Sequence, residues 1–142
     1  MYKYSKQSLE KLETCDPRIQ LISHELIRRF DHSIICGHRK MEEQNKAFNL
    51  GFSKLKFPDS THNVYPSKGW DVVPYPSQFS KKLPFYFMAG QIFAIAFSLK
   101  IDIRWGGDFN QDNNFYNDNF IDLAHFEILE SKHKFKNIDI TK

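Results

Sequence analysis

The 142-residue chain has little of what would place it in several large protein classes. Its two cysteines, Cys15 and Cys36, are too few and too far apart for a disulfide scaffold or a C-x-x-C zinc knuckle, so both are expected as free, buried thiols. The N-terminal residues Met1 to Gln7 lack the continuous apolar stretch of a secretory signal, which predicts synthesis in the cytoplasm. The longest apolar run, Leu83 to Leu99, is broken by Pro84, Gly90 and Gln91 and falls short of the ~20 residues a bilayer requires. A buried core helix flanked by Lys81, Lys82 and Lys100 is expected there, without stable membrane insertion. Charge of one sign is scarce too. The net charge is +3, and basic residues are scattered, with only short clusters such as Lys132, Lys134 and Lys136. This excludes a dedicated nucleic-acid binder and leaves a mild attraction to anionic polymers.

What remains is an ordinary globular composition, 41% hydrophobic and 26% charged, with room for one domain and its core. The 14 phenylalanines point to an aromatic core or an aromatic-lined cleft. Residues 1–130 read as the folded domain and 131–142 as a basic C-terminal tail. Nothing in the composition demands a partner chain, and a monomer is expected.

Local patterns predict the elements. Asp16-Pro17 offers an N-cap and a first-turn proline, and Ile19, Ile22, Leu26 and Phe30 follow at helical spacing, giving a helix over 17–30. A shorter helical turn is expected around Ser8 to Glu13. Ser33 to Cys36 reads as a buried strand ended by Gly37, and 40–50 as a helix stopped by Gly51. Residues 51–69 are loop-like. Strands are expected over 70–75, 101–105 and 121–129, and a polar Asp/Asn loop over 108–119. Helices mixed with strands that are not regularly alternated predict an α+β domain, mainly an antiparallel sheet flanked by helices.

A catalytic zinc site takes three protein ligands from imidazole and carboxylate and keeps a fourth position open. His62 and Asp71 bracket a proline-containing loop and can converge across it. A third ligand would come from Asp122-Leu123-Ala124-His125-Phe126-Glu127, where an extended backbone puts His125 and Glu127 on one face. Separately, Asp108-x-Asn110-x-Asp112-x-Asn114 alternates oxygen ligands as calcium loops do, but lacks the glycine at the sixth position and the glutamate at the twelfth. A solvated loop is the main expectation, with Ca2+ as the secondary one.

The order Ser60-x-His62, Trp70-Asp71-Val72, Trp105-Gly106-Gly107-Asp108 and Asp122-x-x-His125-Phe126-Glu127, preceded by Cys36-Gly37-His38-Arg39 and Glu43-Gln44, resembles the M15 family of zinc peptidases. That family includes D-alanyl-D-alanine carboxypeptidases and dipeptidases and phage L-alanyl-D-glutamate endopeptidases. The resemblance implies a hedgehog or D-Ala-D-Ala peptidase-like fold and one Zn2+ per chain held by His62, Asp71 and His125. Asp122 would be the catalytic carboxylate, and Arg39 would face the scissile region. Ser60, Gln44, Trp105 and Glu127 would bind substrate or support the ligands. The loop from His62 to Asp71 is longer than in many members. The implied activity is hydrolysis of the peptidoglycan stem peptide by an endolysin, made in an infected bacterial host and acting on the wall after release. A D-alanyl-D-alanine carboxypeptidase or dipeptidase, and a non-catalytic zinc-containing wall-binding module, are the alternatives.

Overall fold

In the computed structural model, residues 1–130 are described, so the expected basic tail at 131–142 lies outside the described residues. The Ser5 hydroxyl accepts the Ser8 amide and starts α1, Lys6–Leu12. Asp16 caps α2, Pro17–Ile27, by accepting the Arg18 amide at 2.9 Å, and Pro17 sits in its first turn. The regular helix is shorter than the predicted 17–30, but the Arg29 and Phe30 amides still donate to the Leu26 carbonyl and carry Phe30 onto the core.

β1, His32–Cys36, buries Ile34 but leaves Ile35 40% exposed, so the expected buried strand is an edge strand with one wet face. α3, Met41–Asn49, also departs from its apolar periodicity. Met41 and Leu50 are exposed, and the fully buried residue is Gln44. Gly51 ends this segment at φ +79°, the left-handed conformation that glycine adopts without a Cβ penalty.

β2, Gly69–Pro74, and α4, Leu83–Ser98, follow their predicted spans closely. β3 is confined to Ile103–Trp105 and β4 to His125–Ile128. The expected strand over 121–129 is therefore halved, because residues 122–125 form a turn in which the His125 amide donates to the Asp122 carbonyl. The four strands pair antiparallel in the order β1-β2-β4-β3.

Registers align Trp70 with Phe126 and Trp105, and Asp71 with His125. Since successive strand residues alternate faces, one face carries the aromatic core and the other carries Asp71, Arg104, His125 and Glu127. Trp70 and Phe126 lie 5.4 Å apart by ring centroid, Trp105 stacks on Phe126 at 6.1 Å, and Phe93 of α4 meets both Trp105 and Phe126 edge-on. α4 packs on this aromatic face, α2 packs on α4, and α1 packs on β1. The solvent side of α4 stays open, so Leu83 to Leu99 is not the fully buried helix its composition predicts: Leu83 is 82% and Phe97 86% exposed.

Candidate metal centre

The polar face of the sheet is the floor of an open cleft of about 460 Å³. Ser60 caps the short 3-10 turn Thr61–Asn63 by accepting the His62 amide at 3.2 Å, and this turn aims the buried His62 ring at the sheet. His62 Nε2, Asp71 Oδ1 and His125 Nδ1 form a nearly equilateral triangle with sides of 3.1, 3.0 and 3.2 Å.

The outer nitrogens decide what this triangle can hold. His62 Nδ1 donates to the Gly37 carbonyl at 2.7 Å, and His125 Nε2 donates to Glu127 Oε1 at 3.1 Å. Both acceptors lack protons to offer, so in the neutral tautomers the inner nitrogens present lone pairs to each other and to a carboxylate. Only a cation relieves that arrangement. Ligand atoms held 2.0–2.2 Å from a tetrahedral ion lie about 3.3 Å apart, close to the triangle's edges, so the donor set fits a divalent metal of the zinc type.

The titration behaviour agrees. Burial opposes charge on His62, but the Asp71 carboxylate and its hydrogen bond outweigh it, pushing the imidazole up to about 10. Asp71 is held far below the carboxylate range despite burial, because His62 and His125 face it. Glu127, also against its burial, is lowered by its hydrogen bond to His125 and by Arg104, whose guanidinium lies 3.1 Å away. Glu127 is thus an anion that orients His125.

Asp122 offers a carboxylate oxygen within 4.8 Å of the ligand atoms of Asp71 and His125. Burial first, and then the neighbouring Asp71 charge, raise its carboxyl above the usual aspartate value. Its position depends on Gly106. The Asp122 amide donates to the Gly106 carbonyl at 2.8 Å, and a Cβ on Gly106 would run into the Asp122 carbonyl.

Arg39 stands 3.7 Å from Asp71 Oδ2, with Nη1 donating to Gln44 Oε1 at 3.0 Å and its backbone amide donating to the His62 carbonyl at 2.7 Å. Gln44 lies behind the cleft wall. Its amide nitrogen donates to Ser53 Oγ and the Leu55 carbonyl, tying Arg39 to the 53–55 loop. Trp105 lies on the core face, and its Nε1 donates to the Leu123 carbonyl at 2.9 Å, bracing the turn that carries Asp122. Neither Gln44 nor Trp105 lines the cleft.

Two residues escaped the pattern reading. A bulge between Ile34 and Cys36 turns the Cys36 thiol toward the centre, where Sγ lies 3.6 Å from His62 Nδ1 and is only half-buried. Arg104 lines the cleft beside Glu127. Its signal was the alternation Ile103-Arg104-Trp105, which puts the charge on the face opposite two apolar neighbours. In the Asp/Asn loop, Asp108, Asn110, Asp112 and Asn114 oxygens accept backbone amides of residues 113, 112, 114 and 116, closing successive turns.

No curated protein sequence matches the chain. Among solved structures, it is similar to the crystal structure of the Serratia marcescens L-Ala D-Glu endopeptidase ChiX, with a TM-score of 0.70 and 20% identity over 89% of this chain and 90% of that one. At that identity the likeness shows a common fold. The profile of the phage L-alanyl-D-glutamate peptidases matches residues 1–129, nearly the whole described chain. The chain therefore belongs to the phage L-alanyl-D-glutamate peptidase family, enzymes acting on peptidoglycan.

Proposed function

We propose that the protein is a zinc-dependent endopeptidase that cuts the peptidoglycan stem peptide between L-alanine and D-glutamate. The observation that carries this reading is the triangle of His62 Nε2, Asp71 Oδ1 and His125 Nδ1 at the floor of an open cleft, with Asp122 beside it. Zinc, when bound, supplies Lewis acidity and lowers the pKa of a coordinated water to about 7.

The chain's own groups do the rest. Asp122 is the general base and acid: its carboxylate takes a proton from the attacking water and returns it to the leaving amine of D-glutamate. Its raised pKa brings it nearer the working pH, which favours both transfers. Arg39, a permanent cation fixed by Gln44 and the His62 carbonyl, stabilises negative charge developing on the scissile carbonyl oxygen. Glu127 keeps the His125 tautomer and ring orientation, and Ser60 keeps His62 in its turn. The retained carboxylate at Asp122 argues against a non-catalytic wall-binding module.

The test is digestion of purified peptidoglycan followed by mass spectrometry of the new termini. New N-terminal D-glutamate is the expected product. Release of free D-alanine instead would assign the enzyme to D-alanyl-D-alanine carboxypeptidase chemistry.

A further inference from the structure

α4 buries Phe85, Met88, Ile92 and Ile95 toward the sheet and α2, yet its opposite face is also apolar. Leu83, Phe87 and Phe97 are 82, 61 and 86% exposed, with exposed Gly90 and Ala94 between them. A surface helix in water ordinarily carries charge on that side, and an aromatic stripe of this kind marks a docking face. The surrounding charge is one-sided. No aspartate or glutamate occurs between Asp71 and Asp102, while the exposed Lys81 and Lys82 precede the helix and Lys100 follows it.

We propose that this face of α4 docks the enzyme on an anionic lipid bilayer surface. The helix lies in the interface plane with Leu83, Phe87 and Phe97 among the upper acyl chains, and the lysines at both ends meet headgroup phosphates. Charge complementarity selects this occupant. A second copy of the chain would set Lys81 and Lys82 against themselves or against Lys100, and the exposed Asp102 is one acidic residue against those three lysines. Residues 131–142 carry Lys132, Lys134, Lys136 and Lys142 against Asp139, which is the same sign again. On neighbouring α2, Glu25 is already taken by Arg28 and Arg29. α4 packs on the aromatic face of the sheet, whereas Asp71, His125 and Glu127 occupy the other. A molecule docked through α4 keeps its cleft open and turned away from the lipid, toward the wall.

The experiment is flotation of the full chain with vesicles of phosphatidylcholine alone or with a third phosphatidylglycerol. The wild type should float with the phosphatidylglycerol vesicles only. A Leu83→Ser/Phe97→Ser variant should lose flotation while melting at the wild-type temperature and cutting a small stem peptide at the wild-type rate, since both side chains already stand in water. A Lys81→Gln/Lys82→Gln/Lys100→Gln variant should partition on the order of 100-fold more weakly. The proposal is overturned if the wild type does not float, if either variant floats as well as the wild type, or if flotation appears only after deletion of residues 131–142. Self-association in sedimentation that the serine variant abolishes, without lipid binding, would assign the face to a second copy and overturn it equally.

Discussion

The His125 amide donates to the Asp122 carbonyl at 3.2 Å, so two residues that an extended strand would send to opposite faces sit on one side of the cleft. This turn lets His125, a candidate metal ligand, and Asp122, the proposed general base, share one short segment. Their substitutions should separate accordingly. His125→Ala removes a corner of the triangle and should abolish stoichiometric zinc, measured by elemental analysis after dialysis. Asp122→Ala should keep about one zinc per chain and lower kcat by about 10²- to 10⁴-fold. An Asp122→Ala enzyme that hydrolyses wall at the wild-type rate would remove Asp122 from the mechanism.

Glu127 accepts from His125 Nε2 and from Arg104. Glu127→Gln keeps the shape but removes the anion, so zinc affinity should fall by about 10- to 100-fold in competition with a chelator, with the cleft otherwise intact. Unchanged affinity would make Glu127 a structural partner of Arg104 alone. For the wild type, zinc at about 100 times its dissociation constant should add about 2.7 kcal/mol to unfolding stability, and a chelator should remove it.

Gly106→Ala places a methyl group against the Asp122 carbonyl. The backbone is the obstacle, so relief requires moving the turn. The variant should lose about 1–3 kcal/mol of stability. It should also lose far more activity than Gly90→Ala, whose Cβ meets open space on α4. Thermal unfolding and stem-peptide assays on the pair test this.

Asp16 ties α2 to the segment before β2. Its carboxylate accepts from Arg18, and Lys68 lies 2.6 Å away, both of them also reaching Glu130. Arg18's hydrogen bond, with that of Lys68 and against the opposing effect of burial, holds the Asp16 carboxyl well below its usual range. A lowered acid contributes stability that is complete above the unfolded-state value of about 3.9 and is lost as pH falls through the folded-state value. Asp16→Asn retains the cap and removes the charge. It should cost about 2 kcal/mol near pH 7, with the difference from wild type closing as the pH drops below about 4. A difference that does not vary with pH would assign the loss to packing.

Part of the site was legible in local pattern. His62, Asp71 and His125 gained weight as a candidate metal set only through the ordered motifs that resemble the M15 peptidases, whereas strand periodicity alone put His125 and Glu127 on one face, as found. Patterns failed where burial is decided by distant neighbours. Gln44 is buried in a helix whose Met41 and Leu50 are exposed, because its amide group completes a network with Arg39, Ser53 and Leu55. Cys36 reaches the centre through a bulge that no spacing rule announces.

The amino-acid order by itself determined the helix start at Asp16, the stop at Gly51 and the α+β composition, since each depends on neighbours a few residues away. Tertiary structure alone decided that Asp71 and His125 stand opposite each other across β2 and β4, that Asp122 turns in beside them, and that α4 has one face in the core and one in solvent. The physical reason is range: caps and turns are satisfied within one turn of chain, whereas the His62, Asp71 and His125 triangle, with sides of about 3 Å, requires the register of a hydrogen-bond ladder between residues 54 positions apart.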